Sequence, residues 1–264
     1  MLKFETLTEH IKRLRVPFDD NFTSVFLIGT AGGFALVDCA ATAADVCDCI
    51  LPALEAEGVS PKDISKVFCT HLHGDHAGGL RTWMPYCENA VIVACSDRVV
   101  AKYPDWTTHV AHDGEELLPS LTVWHLPGHS SGSAGVFDAR TGTLLSGDSI
   151  QQYGVGLYGC GVGLPSSYMK SLLRLRALPI NYLVTSHPYV PDGTEAKGRE
   201  AVARYIDEAI RDFENILAFV KENADSIQDS AAIAAAFTEH YRASVDGLPP
   251  LQTFTVKAIL AEGR

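Results

Sequence analysis

A histidine-rich stretch follows a short apolar run and reads Cys69-Thr70-His71-Leu72-His73-Gly74-Asp75-His76-Ala77-Gly78-Gly79. It places three histidines and one aspartate within six residues, although the whole chain of 264 residues has only 10 histidines. Imidazole nitrogens and carboxylate oxygens are the ligands that a divalent ion such as zinc prefers. The stretch therefore predicts a metal site, and a solvated turn that happens to carry histidines is the weaker interpretation.

The composition is that of an ordinary globular protein, with 47% hydrophobic and 20% charged residues. A chain of this length suits one large α/β domain, either alone or with an appendage. No apolar run approaches the ~18 residues that a membrane-spanning helix needs, and the first residues lack the apolar core of a signal peptide. We therefore expect a cytoplasmic protein that does not enter a membrane.

Cysteine usage and net charge indicate the cellular compartment of the protein and the kind of partner it binds. The seven cysteines form no Cys-x-x-Cys motif, which indicates free thiols in a reducing compartment. The formal net charge is −11, and the basic cluster that stands out is confined to residues 12–15. Because a protein that grips a phosphate backbone usually needs a basic stripe, nucleic acid is a disfavoured partner and a small-molecule substrate is expected.

The order of patterns along the chain predicts a mixed α/β fold. Two β-rich runs at residues 22–28 and 34–38 indicate a hairpin, and apolar spacing over residues 43–57 indicates a helix. The histidine cluster follows the next β-run and is therefore expected on a strand-to-helix loop. Such loops, held by a rigid sheet, commonly carry chemistry.

The last part of the chain has a helical pattern. An apolar stripe over residues 202–220 recurs about every 3.6 residues, and two further helical patterns follow it. We predict a catalytic domain of residues 1–197 and a helical appendage of residues 198–264 packed on it. The appendage is interpreted as structural, either as a wall of the substrate pocket or as a contact in a homodimer.

Three later residues each follow an apolar β-run, namely His129, Asp148 and His187. Taken singly, each has an ordinary interpretation, since Asp148 suits a turn or helix cap and the chain also carries histidines outside any motif. Taken together with the cluster, they predict further ligands delivered to a common sheet edge.

The motif order His-x-His-x-Asp-His, Pro-Gly-His-Ser-x-Gly, Ser-Gly-Asp and a final Ser-His resembles the metallo-β-lactamase fold superfamily. The resemblance implies an α/β fold, a four-layer αββα sandwich with two divalent metal ions at one sheet edge, followed here by the C-terminal helical appendage. It also implies seven ligands, with His71, His73 and His129 on one ion, Asp75, His76 and His187 on the other, and Asp148 on both. Zinc is the expected metal, and iron or manganese suits the same donors.

The residue pattern of the motifs most resembles that of the glyoxalase II and lactonase branches. It implies a dinuclear metal-dependent hydrolase that directs a metal-bridging hydroxide at a small ester, thioester or lactone. Histidine at position 73, where flavo-diiron proteins would carry glutamate, disfavours redox chemistry, and Asp148 with no visible export signal disfavours antibiotic hydrolysis. The basic residues that bind glutathione in glyoxalase II are not recognisable.

Two other functions stay open. The helical tail faintly resembles an appendage of endoribonuclease relatives, which leaves a phosphodiesterase or endoribonuclease of the same fold as an alternative. A non-catalytic metal-bound scaffold that senses a ligand is the other alternative, although a complete ligand set argues against it.

The catalytic candidates beyond the metals are one carboxylate and a set of tyrosines. Asp75 would orient the attacking hydroxide as well as bind an ion. Tyr158 or Tyr189, and by the same reasoning Tyr153, would donate a hydrogen bond to the oxyanion formed on attack. For any single one of these tyrosines, packing with the hydroxyl at the surface is the plainer interpretation.

Overall fold

The computed structural model describes residues 2–155, 159–227, 229–241 and 250–263. The described chain is mixed α/β, with two β-sheets and with helices at the C-terminal end, as predicted. It falls into two compact units: the first comprises Met1–His125 and Ala134–Gly147, and the second comprises Leu126–Ser133 and Asp148–Arg264. The domain boundary expected between residues 197 and 198 stays a prediction.

The first unit holds a seven-stranded sheet whose strands follow one another in chain order. The strands are β1 (Glu5–Thr6), β2 (Ile11–Phe18), β3 (Asn21–Thr30), β4 (Gly33–Val37), β5 (Ile64–Phe68), β6 (Val91–Ala94) and β7 (Thr108–Val110). Strands β1 to β4 are antiparallel and β4 to β7 are parallel. The predicted hairpin is confirmed as β3 and β4. Because β4 and β5 are parallel neighbours, the residues that follow them emerge side by side at the same edge of the sheet.

Short helical segments connect the parallel strands. A π-helical turn (Asp45–Ile50) runs into α1 (Leu51–Ala56), which confirms the predicted helix, and α2 (Gly74–Ala77), α3 (Leu80–Trp83) and α4 (Arg98–Lys102) follow. Their apolar sides join the sheet in one buried cluster that includes Leu36, Val67, Ile50, Leu54 and Trp83. Since burying a large apolar side chain contributes about 1.5–3 kcal/mol, this core holds the sheet edge and its loops in place.

The first unit also contains four antiparallel strands in a second sheet. They are β8 (Glu116–Leu118), β9 (Leu121–His125), β10 (Ala134–Asp138) and β11 (Thr143–Leu145). Trp124 stacks on Phe137 across β9 and β10, with the ring centroids 4.3 Å apart. This aromatic cross-strand contact stabilises the pairing of the two strands.

The described part of the second unit combines an antiparallel strand pair with four helices. The pair is β12 (Tyr182–Tyr189) and β13 (Gly193–Lys197), and the helices are α5 (Pro165–Ala177), α6 (Arg199–Asn223), α7 (Ser230–Tyr241) and α8 (Pro250–Glu262). The apolar stripe predicted over residues 202–220 is the buried face of α6. Helix α8 packs against α5, α6 and α7. None of the described helices is both long and apolar enough to cross a membrane.

Two adjacent glycines let the polypeptide cross itself closely near the histidine cluster. A Cβ atom added at Gly79 would lie 2.2 Å from the carbonyl oxygen of Cys39, and one added at Gly78 would lie 2.1 Å from that of Ala41. These contacts are with backbone atoms, which cannot turn aside as a flexible side chain can. The Gly-Gly pair is therefore required for close packing, beyond its freedom in a turn.

We expect Gly79→Ala to lower the free energy of unfolding by about 1–3 kcal/mol, because the added methyl group overpacks the backbone of Cys39. The measurement is urea denaturation followed by circular dichroism. Gly74→Ala is the matched control, since a Cβ atom there meets nothing within 4 Å. The control is expected to stay within about 0.5 kcal/mol of the wild type. Equal stability of the two variants would contradict the close-packing role.

Candidate metal centre

The histidine cluster lies on the loop between β5, which ends at Phe68, and α2, which begins at Gly74. This placement confirms the predicted strand-to-helix loop. Strand β5 is buried between parallel neighbours, so its carboxyl end is held on both sides. The side chains of His71 and His76 are buried, whereas His73 is exposed.

The donors of the cluster fall into two close pairs. The Nε2 atom of His71 lies 3.0 Å from Nδ1 of His73, and the Nε2 atom of His76 lies 3.2 Å from Oδ2 of Asp75. Two nitrogens that share one tetrahedral zinc ion at ~2.0–2.1 Å would be roughly 3.3 Å apart. Both spacings are therefore close to those of neighbouring ligands on one ion.

A buried aspartate that the sequence analysis did not single out holds this cluster. Asp38 follows β4, and its Oδ2 atom accepts a hydrogen bond from Nδ1 of His76 at 2.8 Å. Its carboxylate also accepts hydrogen bonds from the backbone N–H of Thr70 at 2.8 Å and from the Thr70 hydroxyl at 2.9 Å. With Nδ1 of His76 engaged, Nε2 is the nitrogen available to a metal ion, the arrangement seen around metal-binding histidines.

Two features mark Asp38 as a specialised position. Burial raises the pKa of its carboxyl group, and the bonds from His76 and Thr70 oppose that rise. Its φ angle of 61° lies in the left-handed region, which is uncommon for a residue other than glycine and concentrates at functional sites. The signal in the sequence was an aspartate at the end of a buried β-run, which is too common a pattern to be read alone.

The second unit brings together the three later predicted ligands. The Oδ2 atom of Asp148 lies 3.6 Å from Nε2 of His129, and its Oδ1 atom lies 3.6 Å from Nε2 of His187. All three side chains are buried. His187 lies within β12 rather than after it. The two oxygens of Asp148 thus face two different imidazoles, with a gap at each that exceeds a hydrogen bond.

The ring of His129 is held from its far side, as that of His76 is. Its Nδ1 atom donates a hydrogen bond to the carbonyl oxygen of Gly161 at 2.5 Å, and Nε2 of Gln151 lies 2.8 Å from the same nitrogen. Gln151 in turn accepts a hydrogen bond from the backbone N–H of Gly161 at 2.7 Å. Neither residue was singled out in the sequence, because the contact between His129 and Gly161 spans 32 residues.

The donor set fits divalent metal ions. The first unit supplies three imidazoles and one carboxylate, and the second supplies two imidazoles and one carboxylate. Nitrogen and oxygen donors of this kind suit zinc, iron and manganese. In both units an imidazole is oriented through Nδ1, which leaves Nε2 facing the other donors of its group.

The predicted catalytic residues differ in what surrounds them. Asp75 keeps part of its side chain accessible beside His76. Tyr189 is buried with its ring edge-on to His187, and burial, reinforced by Asp148, holds the pKa of its hydroxyl well above the usual range. Its role as an oxyanion donor stays a prediction. Tyr158 lies outside the described residues.

Tyr153 has a partner of its own. Its hydroxyl donates a hydrogen bond to Glu208 of α6 at 2.5 Å, and burial together with Glu208 raises the pKa of that hydroxyl to about 12. Tyr153 is therefore a neutral phenol near pH 7, and its hydroxyl links residue 153 to α6 through Glu208.

Relatives among characterised proteins share part of the chain. Lactamase-like protein adaB of Aspergillus niger is 28% identical over 159 residues, which is 59% of this chain and 46% of that protein. Hydroxyacylglutathione hydrolase of Methylococcus capsulatus is 32% identical over 195 residues, which is 72% of this chain and 69% of that protein. The chain spans about half the length of adaB and of lactamase-like protein aptB from Emericella nidulans, of which it covers 55%.

A solved structure shares the fold over nearly the whole chain. A metallo-beta-lactamase family protein from Thermus thermophilus superposes with a TM-score of 0.76 at 19% sequence identity, and the match covers 98% of this chain and 95% of that one. The sequence profile of the metallo-beta-lactamase superfamily matches residues 18–187, which include all seven predicted ligands. With the motifs, the fold and this profile in agreement, the chain belongs to the metallo-beta-lactamase superfamily.

Proposed function

We propose that the protein is a metal-dependent hydrolase that uses two divalent ions to open a small ester, thioester or lactone. The observation that carries the proposal is the carboxylate of Asp148, whose two oxygens each face a different buried histidine at 3.6 Å. A carboxylate that presents its oxygens in two directions, each beside an imidazole, would offer a donor atom to each of two ions. Membership of the superfamily supports the same interpretation.

The proposed ligands divide between the ions as the motifs imply. His71, His73 and His129 would hold one ion, Asp75, His76 and His187 would hold the other, and Asp148 would bind both. The close pair of His71 and His73 and the close pair of Asp75 and His76 support this division. Zinc is the proposed metal, because four-coordinate nitrogen and oxygen donors suit it.

When bound, two adjacent divalent ions lower the pKa of a shared water molecule and polarise the carbonyl oxygen of a substrate. The chain's own residues would position the reacting groups. The carboxylate of Asp75 would accept a hydrogen bond from the attacking water and orient it. Asp38 and Gly161 keep the imidazoles of His76 and His129 in one orientation, so that no reorganisation is needed during the reaction.

The proposed substrate class rests on charge and on relatives. A net charge of −11 disfavours a polyanionic substrate such as RNA. A relative at 32% identity bears the name hydroxyacylglutathione hydrolase, which supports a thioester among the candidates. Glutathione itself is not part of the proposal, because the residues that would bind it are not recognisable in the sequence.

We expect about two divalent ions per purified chain, and chelation is expected to abolish hydrolysis until the metal is restored. Asp148→Ala is expected to reduce the metal content and to lower kcat/KM at least about 100-fold, because the bridging carboxylate is lost. Metal content is measured by elemental analysis. Asp207→Ala, which removes an exposed partner of Arg176, is the control and should retain both ions. Less than one ion per chain in the wild type would refute the dinuclear site.

A panel of substrates tests the reaction class. We expect the metal-loaded protein to turn over a thioester, a lactone or a small ester, and Asp75→Ala to lose most of that turnover, because the attacking water is no longer oriented. Turnover confined to phosphodiesters, with an affinity for RNA that falls as salt rises, would instead favour the nuclease alternative. The absence of hydrolysis across the whole panel would favour a ligand-sensing scaffold.

Asp38→Asn is expected to weaken metal binding about 10–100-fold, because the amide no longer anchors Nδ1 of His76 as a carboxylate does. Competition with a chromogenic chelator measures the affinity. Asp45→Asn is the matched control, since Asp45 follows the same strand and accepts hydrogen bonds only from backbone N–H groups of Ala41 and Thr42 among the bonds described for it. Equal metal affinities of the two variants would show that Asp38 does not contribute to metal binding.

A further inference from the structure

We propose that Thr255, on the C-terminal helix α8, is a positioning residue for His129 and acts through the segment of residues 160–163. The inference rests on the proposed function, in which His129 binds one of the two ions. It gives the helical tail a specific part in the metal site, beyond the structural role expected from the sequence.

The hydroxyl of Thr255 makes two hydrogen bonds to this segment. It donates to the carbonyl oxygen of Cys160 at 2.5 Å and accepts from the backbone N–H of Val162 at 2.8 Å. The two bonds therefore bracket Gly161 from either side. Thr255, Cys160 and Val162 are all buried, so removing the hydroxyl takes a hydrogen-bond partner from two buried backbone groups.

Gly161 is the residue that orients the proposed ligand. Its carbonyl oxygen accepts the hydrogen bond from Nδ1 of His129 at 2.5 Å, and its N–H donates to Gln151. The next residues continue the contact, because the N–H groups of Gly163 and Leu164 both donate to the carbonyl oxygen of Gly128, at 3.0 and 2.8 Å. The segment thus lies along the loop of His129, and Thr255 fixes the peptide group that touches the imidazole.

The use of the hydroxyl is unusual for a threonine inside a helix. Such a hydroxyl commonly bonds to the carbonyl four residues earlier in its own helix. Thr238 of α7 does this, donating to the carbonyl oxygen of Ala234 at 2.9 Å. Thr255 instead bonds to residues 93 and 95 positions away in the chain.

A second contact ties the other end of α8 to the same stretch of chain. The carboxylate of Glu262 accepts hydrogen bonds from the backbone N–H of Ser166 at 3.0 Å and from its hydroxyl at 2.6 Å. Ser166 lies in the first turn of α5, three residues after the segment of residues 160–163. Helix α8 therefore holds both the segment and the helix that follows it.

The test compares Thr255→Val, Thr255→Ser and Thr238→Val, with zinc as the probe and a chromogenic chelator as the competitor. Thr255→Val is expected to bind one ion about tenfold more weakly, at the lower end of the range for outer-sphere partners, and the other ion as the wild type does. Thr255→Ser keeps the hydroxyl and should restore both affinities. Thr238→Val removes a hydroxyl from the same tail without reaching the segment and should leave both affinities unchanged.

Cobalt substitution gives a second readout that does not depend on activity. The visible absorption of the cobalt-loaded protein is expected to change in Thr255→Val and to match the wild type in the other two variants. Thr255→Ala removes the same hydroxyl and serves if Thr255→Val does not fold. Urea denaturation of the metal-free proteins compares the stability lost in Thr255→Val with that lost in Thr238→Val.

Unchanged affinity in both Thr255→Val and Thr255→Ala would overturn the inference, and so would equal weakening of both ions or the same weakening in Thr238→Val. In each of these outcomes a wild type that binds two ions would leave the proposed function standing. A wild type that binds no metal would instead refute the proposed function itself.

Discussion

The hydrogen bond between Nδ1 of His76 and the buried carboxylate of Asp38 is the contact on which the arrangement of the histidine cluster depends. An imidazole can present Nε2 to an ion in one direction only if its other nitrogen is held. Asp38 does this while also accepting a hydrogen bond from the backbone N–H of Thr70, which lies two residues after the end of β5. The same requirement is met at His129 by the carbonyl oxygen of Gly161. A buried carboxylate and a buried carbonyl thus perform one task with different chemistry.

Each anchor depends on a different part of the fold. Asp38 reaches the cluster because β4 and β5 are parallel neighbours and their carboxyl ends emerge together. The Gly78-Gly79 pair lets α2 and α3 approach the backbone after β4, so that the loop closes onto Asp38. Gly161 reaches His129 because Gly128 accepts backbone hydrogen bonds from the same segment and because α8 holds that segment through Thr255. The helical tail belongs to the same compact unit as the three later proposed ligands.

Local patterns predicted much of this architecture. The hairpin of β3 and β4, the buried face of α6 and the strand-to-helix position of the cluster all follow from spacing of apolar residues over short stretches. Other features could not be read in this way. His187 lies inside β12 because the strand continues to Tyr189, and a strand end is poorly marked when nearly all its residues are buried. Asp38, Gln151 and Thr255 carry no motif, since their partners lie elsewhere in the chain.

The sequence by itself determined the superfamily and the chemical identity of the donors, because side-chain type and spacing within a loop are local properties. It also placed four donors within six residues, close enough that a single loop must bring them together. Only the tertiary structure decided which groups hold the imidazoles in place and which glycines allow two backbone segments to approach closely. It also decided which segment the helical tail contacts. Those contacts join residues that are 22 to 96 positions apart, and such pairs meet only after the sheet and helices have packed.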